Sequence, residues 1–128
     1  MASIAKVRES NAKIDASSVP RVSVFVGATS GIGKTTLATL VGLGLPIKAY
    51  VVGRKETGVS FKPFLDELRK ENPKADIVWV EGEVTLLAEV RRICLDIKAR
   101  ETSVDFLLLT AGYVPFGGRE STFWVPPR

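Results

Sequence analysis

The stretch Arg21-Val22-Ser23-Val24-Phe25-Val26-Gly27-Ala28-Thr29-Ser30-Gly31-Ile32-Gly33-Lys34-Thr35 decides the fold. Its opening, Arg21 to Val26, is rich in β-branched residues and is bounded by glycine, so it reads as a strand. Beyond the glycines, Leu37, Leu40, Val41 and Leu45 recur at helical spacing until Gly42, Gly44 and Pro46 stop the helix. Strand, glycines, helix is the order that makes such a cluster informative. A backbone that turns this tightly needs residues without a Cβ, and so does a main chain that a phosphate must approach closely. The following helix offers unpaired N–H groups and the positive end of its dipole. Gly31, Ile32 and Gly33 fall at that helix start, so the cluster reads as a phosphate-binding turn rather than a plain tight turn.

Outward from this turn, the chain alternates. Ile47 to Val52 reads as a second strand, closed by Gly53-Arg54-Lys55. Phe61, Phe64, Leu65 and Leu68 mark one face of a helix that Asn72-Pro73 ends. Ala75 to Val80 is a third strand. Leu86, Leu87, Val90, Ile93, Cys94 and Ile97 give another amphipathic helix reaching about Arg100, and Val104 to Leu109 is a fourth strand. That last strand is apolar without alternation, the pattern of a strand buried on both faces. The order β-α-β-α-β-α-β implies a parallel sheet with helices packed on it, and right-handed crossovers favour double winding. The expected fold is α/β, a Rossmann-type doubly wound parallel sheet truncated after the fourth strand. Residues 1–20 read as a mobile N-terminal arm with a short helix over Ile4 to Ile14, residues 21–119 as a partial nucleotide-binding Rossmann domain, and residues 120–128 as an irregular tail. In the strand order 3-2-1-4 the fourth strand would present an exposed apolar edge, open to pairing with another chain. Phe123, Trp124 and Val125 are candidates to cover part of it.

Composition narrows the function. The chain has 128 residues, enough for one domain, with 45% apolar and 25% charged residues, as in soluble globular proteins. The net charge of +4 is spread among interspersed acids and bases, with no basic block interleaved with aromatics, which argues against nucleic acid as a partner. There is no histidine, which removes His-based triads and His metal sites. The lone cysteine, Cys94, beside Ile93 and Ile97, reads as a small buried apolar residue. The N-terminus has no apolar signal region and the chain has no run of about 18 apolar residues. Neither secretion nor a membrane span is expected, and a cytoplasmic location is the default.

Two readings of the glycine turn compete. Ala28 to Thr35 fits a relaxed P-loop, in which Lys34 would reach the β- and γ-phosphates and Thr35 a magnesium ion. Such an NTPase also needs an aspartate at the C-terminal end of a strand, whereas Asp76 and Asp105 begin theirs. The dinucleotide reading explains more. About 20 residues past the glycines, an acidic residue would bind the ribose of NAD and an arginine the 2′-phosphate of NADP. That count from Gly33 reaches Gly53, followed by Arg54 and Lys55, so NADP(H) is the expected cofactor.

At this point the residues resemble the short-chain dehydrogenase/reductase family over its N-terminal half, from about Arg21 to Arg119. The family's Thr-Gly-x-x-x-Gly-x-Gly appears as Val26-Gly27-Ala28-Thr29-Ser30-Gly31-Ile32-Gly33, and its NADP-preferring Gly-Arg as Gly53-Arg54. Glu83-Val84 stands where the family has an Asp-Val that contacts adenine. Leu109-Thr110-Ala111-Gly112 keeps the Ala-Gly of Asn-Asn-Ala-Gly and loses both asparagines. The arrangement is similar to divergent fungal members found near secondary-metabolite genes. The resemblance implies an NADP(H)-dependent oxidoreductase with Gly27, Thr29, Ser30, Gly31, Ile32, Gly33, Arg54, Lys55, Glu83, Val84, Ala111 and Gly112 at the cofactor. The family's catalytic serine and Tyr-x-x-x-Lys pair lie beyond the fourth strand. Here Tyr50 is followed four residues on by Arg54, Tyr113 by Gly117, and Ser121 does not match the serine, so no catalytic residue is carried over. A small carbonyl or alcohol substrate is expected only with a catalytic half. The alternatives are a non-enzymatic nucleotide- or partner-binding protein and the P-loop NTPase. A homodimer through the fourth-strand edge would be a further partner.

Overall fold

A computed structural model of the chain describes residues 1–112 and 116–117. The elements are α1 (Ile4–Ala12), β1 (Val22–Val26), α2 (Gly31–Gly42), β2 (Lys48–Gly53), α3 (Lys55–Glu71), β3 (Asp76–Glu81), α4 (Leu87–Arg100) and β4 (Phe106–Leu109). The strands form one parallel sheet in the order β3-β2-β1-β4, the doubly wound arrangement expected. Val26 lies level with Val52 and Leu109, and Gly53 with Glu81. The C-terminal strand ends therefore share one edge, where the connections after β1, β2, β3 and β4 meet.

Strand residues alternate between two layers. Phe25, Ala49, Val51 and Ile77 pack under α2 and α3, against Leu37, Val41, Phe61, Leu65 and Leu68. Val24, Tyr50, Val52 and Val80 pack under α4, against Ile93 and Ile97. Both faces of β1 and β2 are covered, so these strands are apolar at nearly every position, Ser23 and the leading Lys48 excepted. The fourth strand differs from its expected two-sided burial. Phe106 sets its ring edge against Phe25, with centroids 6.0 Å apart, but Leu107 is 57% and Leu109 67% exposed. The cause is the reach of α4, whose buried residues pack over β1, β2 and β3 and not over β4.

Cys94 also departs from expectation: it is exposed, not buried. The buried seam of α4 is Ile93 and Ile97, one turn apart, and Cys94 lies about 100° around the helix from Ile93. Leu86 and Leu87 are likewise exposed. The N-terminal arm contains α1, which buries nothing, but the arm's end is docked. Ile14 packs on the core and Val19 is buried, while the Asp15 carboxylate accepts hydrogen bonds from the amides of Ser17 and Ser18. Most of the loop from Tyr113 and the whole tail, with Phe123, Trp124 and Val125, lie outside the described residues.

Candidate functional site

The turn after β1 is built by close backbone approach. Gly27 has φ +101°, and a Cβ there would run into the amide of Ala111 and into Thr110. At Gly33, in the first turn of α2, a Cβ would lie 2.5 Å from the Gly27 carbonyl oxygen and 2.7 Å from Thr110 Oγ1. The Thr110 hydroxyl donates to the Gly27 carbonyl at 3.2 Å, and the amides of Thr110 and Ala111 both donate to Val26. The end of β4 is thus fastened to the turn. Gly31, with φ +59°, is different, because its missing Cβ would point into open space.

The mouth of α2 is left for an anion. Ser30 is the N-cap residue, yet its side chain makes no capping bond. The first amides of a helix have no partner within it, and here no side chain among the described residues takes their place. They converge with the positive helix end on the space beside Gly31.

From this turn a cleft of about 870 Å³ runs across the sheet edge. Of the residues singled out in the sequence, Gly27, Thr29, Ser30, Gly31 and Ile32 line it from the turn, and Arg54 lines it from the end of β2. Glu83 and Val84 close it after β3, and Ala111 and Gly112 after β4. Gly33 is buried behind the turn, where it spaces α2 from β4. Lys55 faces an adjoining hollow of about 290 Å³, shared with Arg92, Glu56, Glu81 and Glu89. Glu83 reaches both spaces, and its carboxylate accepts from the Thr85 hydroxyl at 3.0 Å and the Thr85 amide at 3.3 Å. Sequence reasoning missed Thr57, Thr85 and Thr110 as lining residues. The signal for Thr110 was present, since it stands at a position already marked as a departure; Thr57 and Thr85 carry none.

The parts of a P-loop are engaged elsewhere. The Lys34 ammonium lies 4.6 Å from the centre of the Phe64 ring and 5.9 Å from that of Phe61, a cation–π placement away from the cleft. The Thr35 hydroxyl donates to the Gly31 carbonyl at 3.2 Å. The Asp105 carboxylate, at the far edge of the sheet, accepts from the amides of Arg21 and Val22, each at 2.9 Å.

Tyr50 is equally remote from the cleft. It is fully buried, and its hydroxyl donates to Glu101 at 2.7 Å, beside Lys48, whose ammonium is also 2.7 Å from Glu101. Burial raises the Tyr50 pKa. Hydrogen bonding to Glu101 raises that of Lys48, and the bond from Lys48 lowers that of Glu101. This trio ties the end of α4 to β2. A second groove, about 920 Å³ and mostly apolar, runs between α1 and α2, lined by Ile14, Leu40, Leu43 and Phe106. Its lining suits hydrocarbon, not phosphate. Among the described residues no cluster of acids or cysteine could hold a metal, and no helix is long and apolar enough to cross a membrane.

A parallel 3-2-1-4 sheet with an uncapped glycine turn at the reversal of strand order defines a Rossmann-type nucleotide-binding domain. No protein-family model matches the chain. It is 35% identical over 122 residues to an NmrA-like family domain-containing oxidoreductase of an Aspergillus strain, aligning 95% of this chain with 37% of that protein. To an oxidoreductase of Emericella nidulans it is 37% identical over 123 residues, aligning 95% of this chain with 36% of that one. A short-chain dehydrogenase/reductase of Colletotrichum higginsianum is 29% identical over 109 residues, 80% of this chain and 26% of its own. Among solved structures, a bulky-bulky ketone specific alcohol dehydrogenase of Comamonas testosteroni superposes with a TM-score of 0.64 at 24% identity, over 77% of this chain and 36% of that one, and it shares the fold. The chain thus spans about a third of the length of the curated relatives it matches. Over that span its relatives are oxidoreductases, one of them a short-chain dehydrogenase/reductase, the family that its motifs resemble.

Proposed function

We propose that the chain binds NADP(H) in the cleft and serves as the cofactor-holding part of an oxidoreductase that acts on a small carbonyl or alcohol. The observation that carries this reading is the continuity of the cleft. One space joins the open amides at Gly31 to Arg54, with Glu83-Val84 and Ala111-Gly112 on its walls. The residues suit a dinucleotide. The diphosphate would lie on the uncapped start of α2, and the space beside Gly31 stays open because no Cβ fills it. The adenosine would lie between Arg54 and Val84, and Arg54 would take the 2′-phosphate. Lys55, one residue further, faces the neighbouring hollow and adds positive potential rather than a direct contact.

Bound NADP(H) would supply a hydride at its nicotinamide. The chain's own residues bind and orient: the glycine turn fixes the diphosphate, and Thr110 holds that turn in shape. No tyrosine–lysine pair faces the cleft among the described residues, and Tyr50 is buried near the opposite edge. A cytoplasmic location is part of the same reading, with NADP(H) as the partner.

Equilibrium titration of the full chain with NADPH and NADH tests this. NADPH should bind more tightly, and Arg54→Ala should lower its affinity by about tenfold or more, since a charge-assisted hydrogen bond contributes roughly 1.5–3 kcal/mol. NADH affinity should change little. Equal binding of the two cofactors, or indifference of NADPH to Arg54→Ala, would overturn the NADP assignment. Lys34→Ala should leave binding unchanged, and ATP binding that is abolished by it would restore the P-loop reading.

A further inference from the structure

The connection that carries Arg54 is arched over one side chain. Trp79, on β3, turns toward the α3 layer, half-buried, and packs 6.2 Å from Phe61 between ring centres. Its indole passes beneath both ends of the connection. A Cβ added to Gly53, the last residue of β2, would fall onto the indole ring. One added to Gly58 would lie 2.8 Å from the indole Nε1 and 2.9 Å from Cε2. Between these two glycines lie Arg54, Lys55, Glu56 and Thr57, closed into the first turn of α3 by the Gly58 amide, which donates to the Arg54 carbonyl at 2.9 Å. The Arg54 backbone is extended and serves as the helix cap, but its side chain makes no capping bond. Among the described residues no hydrogen bond or ion pair holds its guanidinium, so its place follows from the path of the backbone beneath it.

We infer that Trp79 is the positioning residue for Arg54, and through it for the discrimination of NADPH from NADH. The inference rests on the NADP(H) reading of the cleft. Gly53 is held from one side by the Gly82 amide, which donates to its carbonyl at 2.9 Å. The rest of the arch stands on the indole. A smaller side chain at residue 79 opens a void under the arch, into which the backbone settles, and Arg54 moves with it. NADH has no 2′-phosphate and does not use Arg54, so its binding is insensitive to that movement. A merely structural tryptophan would lower both affinities together.

The test uses the full chain and compares Trp79→Leu, Trp79→Phe and Gly58→Ala with wild type, titrating each with NADPH and with NADH. Trp79→Leu is expected to weaken NADPH about tenfold and to leave NADH within about twofold. Trp79→Phe, which keeps a flat ring under the arch, is expected to restore most of the NADPH preference. Gly58→Ala presses on the indole from above and should lower the same ratio, which keeps the inference testable should Trp79→Leu fail to fold. Parallel loss of both affinities in the variants, or an unchanged ratio, overturns the role of Trp79 while leaving the NADP(H) reading intact. Absence of any NADPH preference in the wild-type chain overturns that reading, and the inference with it.

Discussion

Ser23 and Asn72 are both buried polar side chains, and they have opposite consequences. Asn72 donates from its amide nitrogen to the carbonyls of Val41, at 3.1 Å, and Leu45, at 2.9 Å, and accepts from the Lys74 amide at 3.1 Å. One side chain therefore fastens the end of α2 and the loop after it, as a second donor to Val41 beside the Gly44 amide and a donor to Leu45, and also stops α3. Asn72→Ala would leave the half-buried Leu45 carbonyl without this partner, while the Val41 carbonyl keeps the Gly44 amide at 3.1 Å, at a cost of roughly 1–3 kcal/mol before relaxation. A loss of about 2 kcal/mol is expected, read as a fall in the thermal midpoint of roughly 10 °C for a domain of this size. A midpoint within about 2 °C of wild type would remove Asn72 from this role. Ser23, on β1, is fully buried with a hydroxyl that has no partner among the described residues. Ser23→Ala removes an unsatisfied group and should raise stability, by about 1 kcal/mol. A destabilised Ser23→Ala would mean that the hydroxyl has a partner after all. Asn72 was legible only as the end of a helix, because pairing across 31 residues leaves no local pattern. The misreading of Cys94 has a similar origin, since periodicity identifies an apolar face but not how wide a stripe of it the neighbouring sheet covers.

At the scale of elements, the strands and helices of the sheet were legible because they are amphipathic or apolar at their own period and most are bounded by glycine, proline or asparagine, the α4–β4 junction excepted. The glycine turn was legible for the same local reason, and so was Arg54, whose position after β2 is a matter of counting. What local pattern could not show is which partners meet across the sheet: Thr110 against Gly27, Trp79 beneath Gly53 and Gly58, and Glu101 beside Tyr50. The last of these gives a pH dependence. The Lys48 and Tyr50 hydrogen bonds lower the Glu101 pKa from its ordinary 4.5. A carboxylate with a depressed folded-state pKa contributes stability that is fully present above its unfolded value and is lost as pH falls through the folded one. The wild-type chain should therefore lose stability below about pH 4.5, and Glu101→Gln should lose less over the same range while starting lower at neutral pH. At the alkaline end the raised Lys48 pKa acts the other way, since its contribution is present below 10.5 and fades as pH rises further. Urea midpoints from about pH 3 to 7 for both proteins would decide the acid limb; parallel curves would show that the trio is not coupled to folding.

At the scale of the whole molecule, the sheet is covered unevenly. Two helices lie on the α2–α3 face and one on the other, and β4 pairs with β1 alone among the described residues. Among the described residues its outer side presents unpaired backbone groups, and Leu107 and Leu109 lie exposed on α4's side of the sheet, beyond the reach of that helix. Exposed Leu87 and Leu95 on α4 extend the apolar surface of the molecule. Burying a leucine side chain is worth roughly 1.5–3 kcal/mol, so two leucines on each of two chains supply a substantial driving force, before the entropic cost of association. An open parallel edge flanked by such a face is a site of strand-to-strand pairing. The expected behaviour of the 128-residue chain is reversible self-association at micromolar concentration through β4. Sedimentation velocity across a concentration series should show the sedimentation coefficient rising with concentration. Leu107→Lys combined with Leu109→Lys places charge on that face without entering either core cluster. The double variant should therefore keep its far-ultraviolet circular dichroism and sediment as a monomer over the same range. A wild-type chain that stays monomeric at every concentration would show that the β4 surface is protected by some other part of the molecule, and association unaffected by the two lysines would place the contact elsewhere.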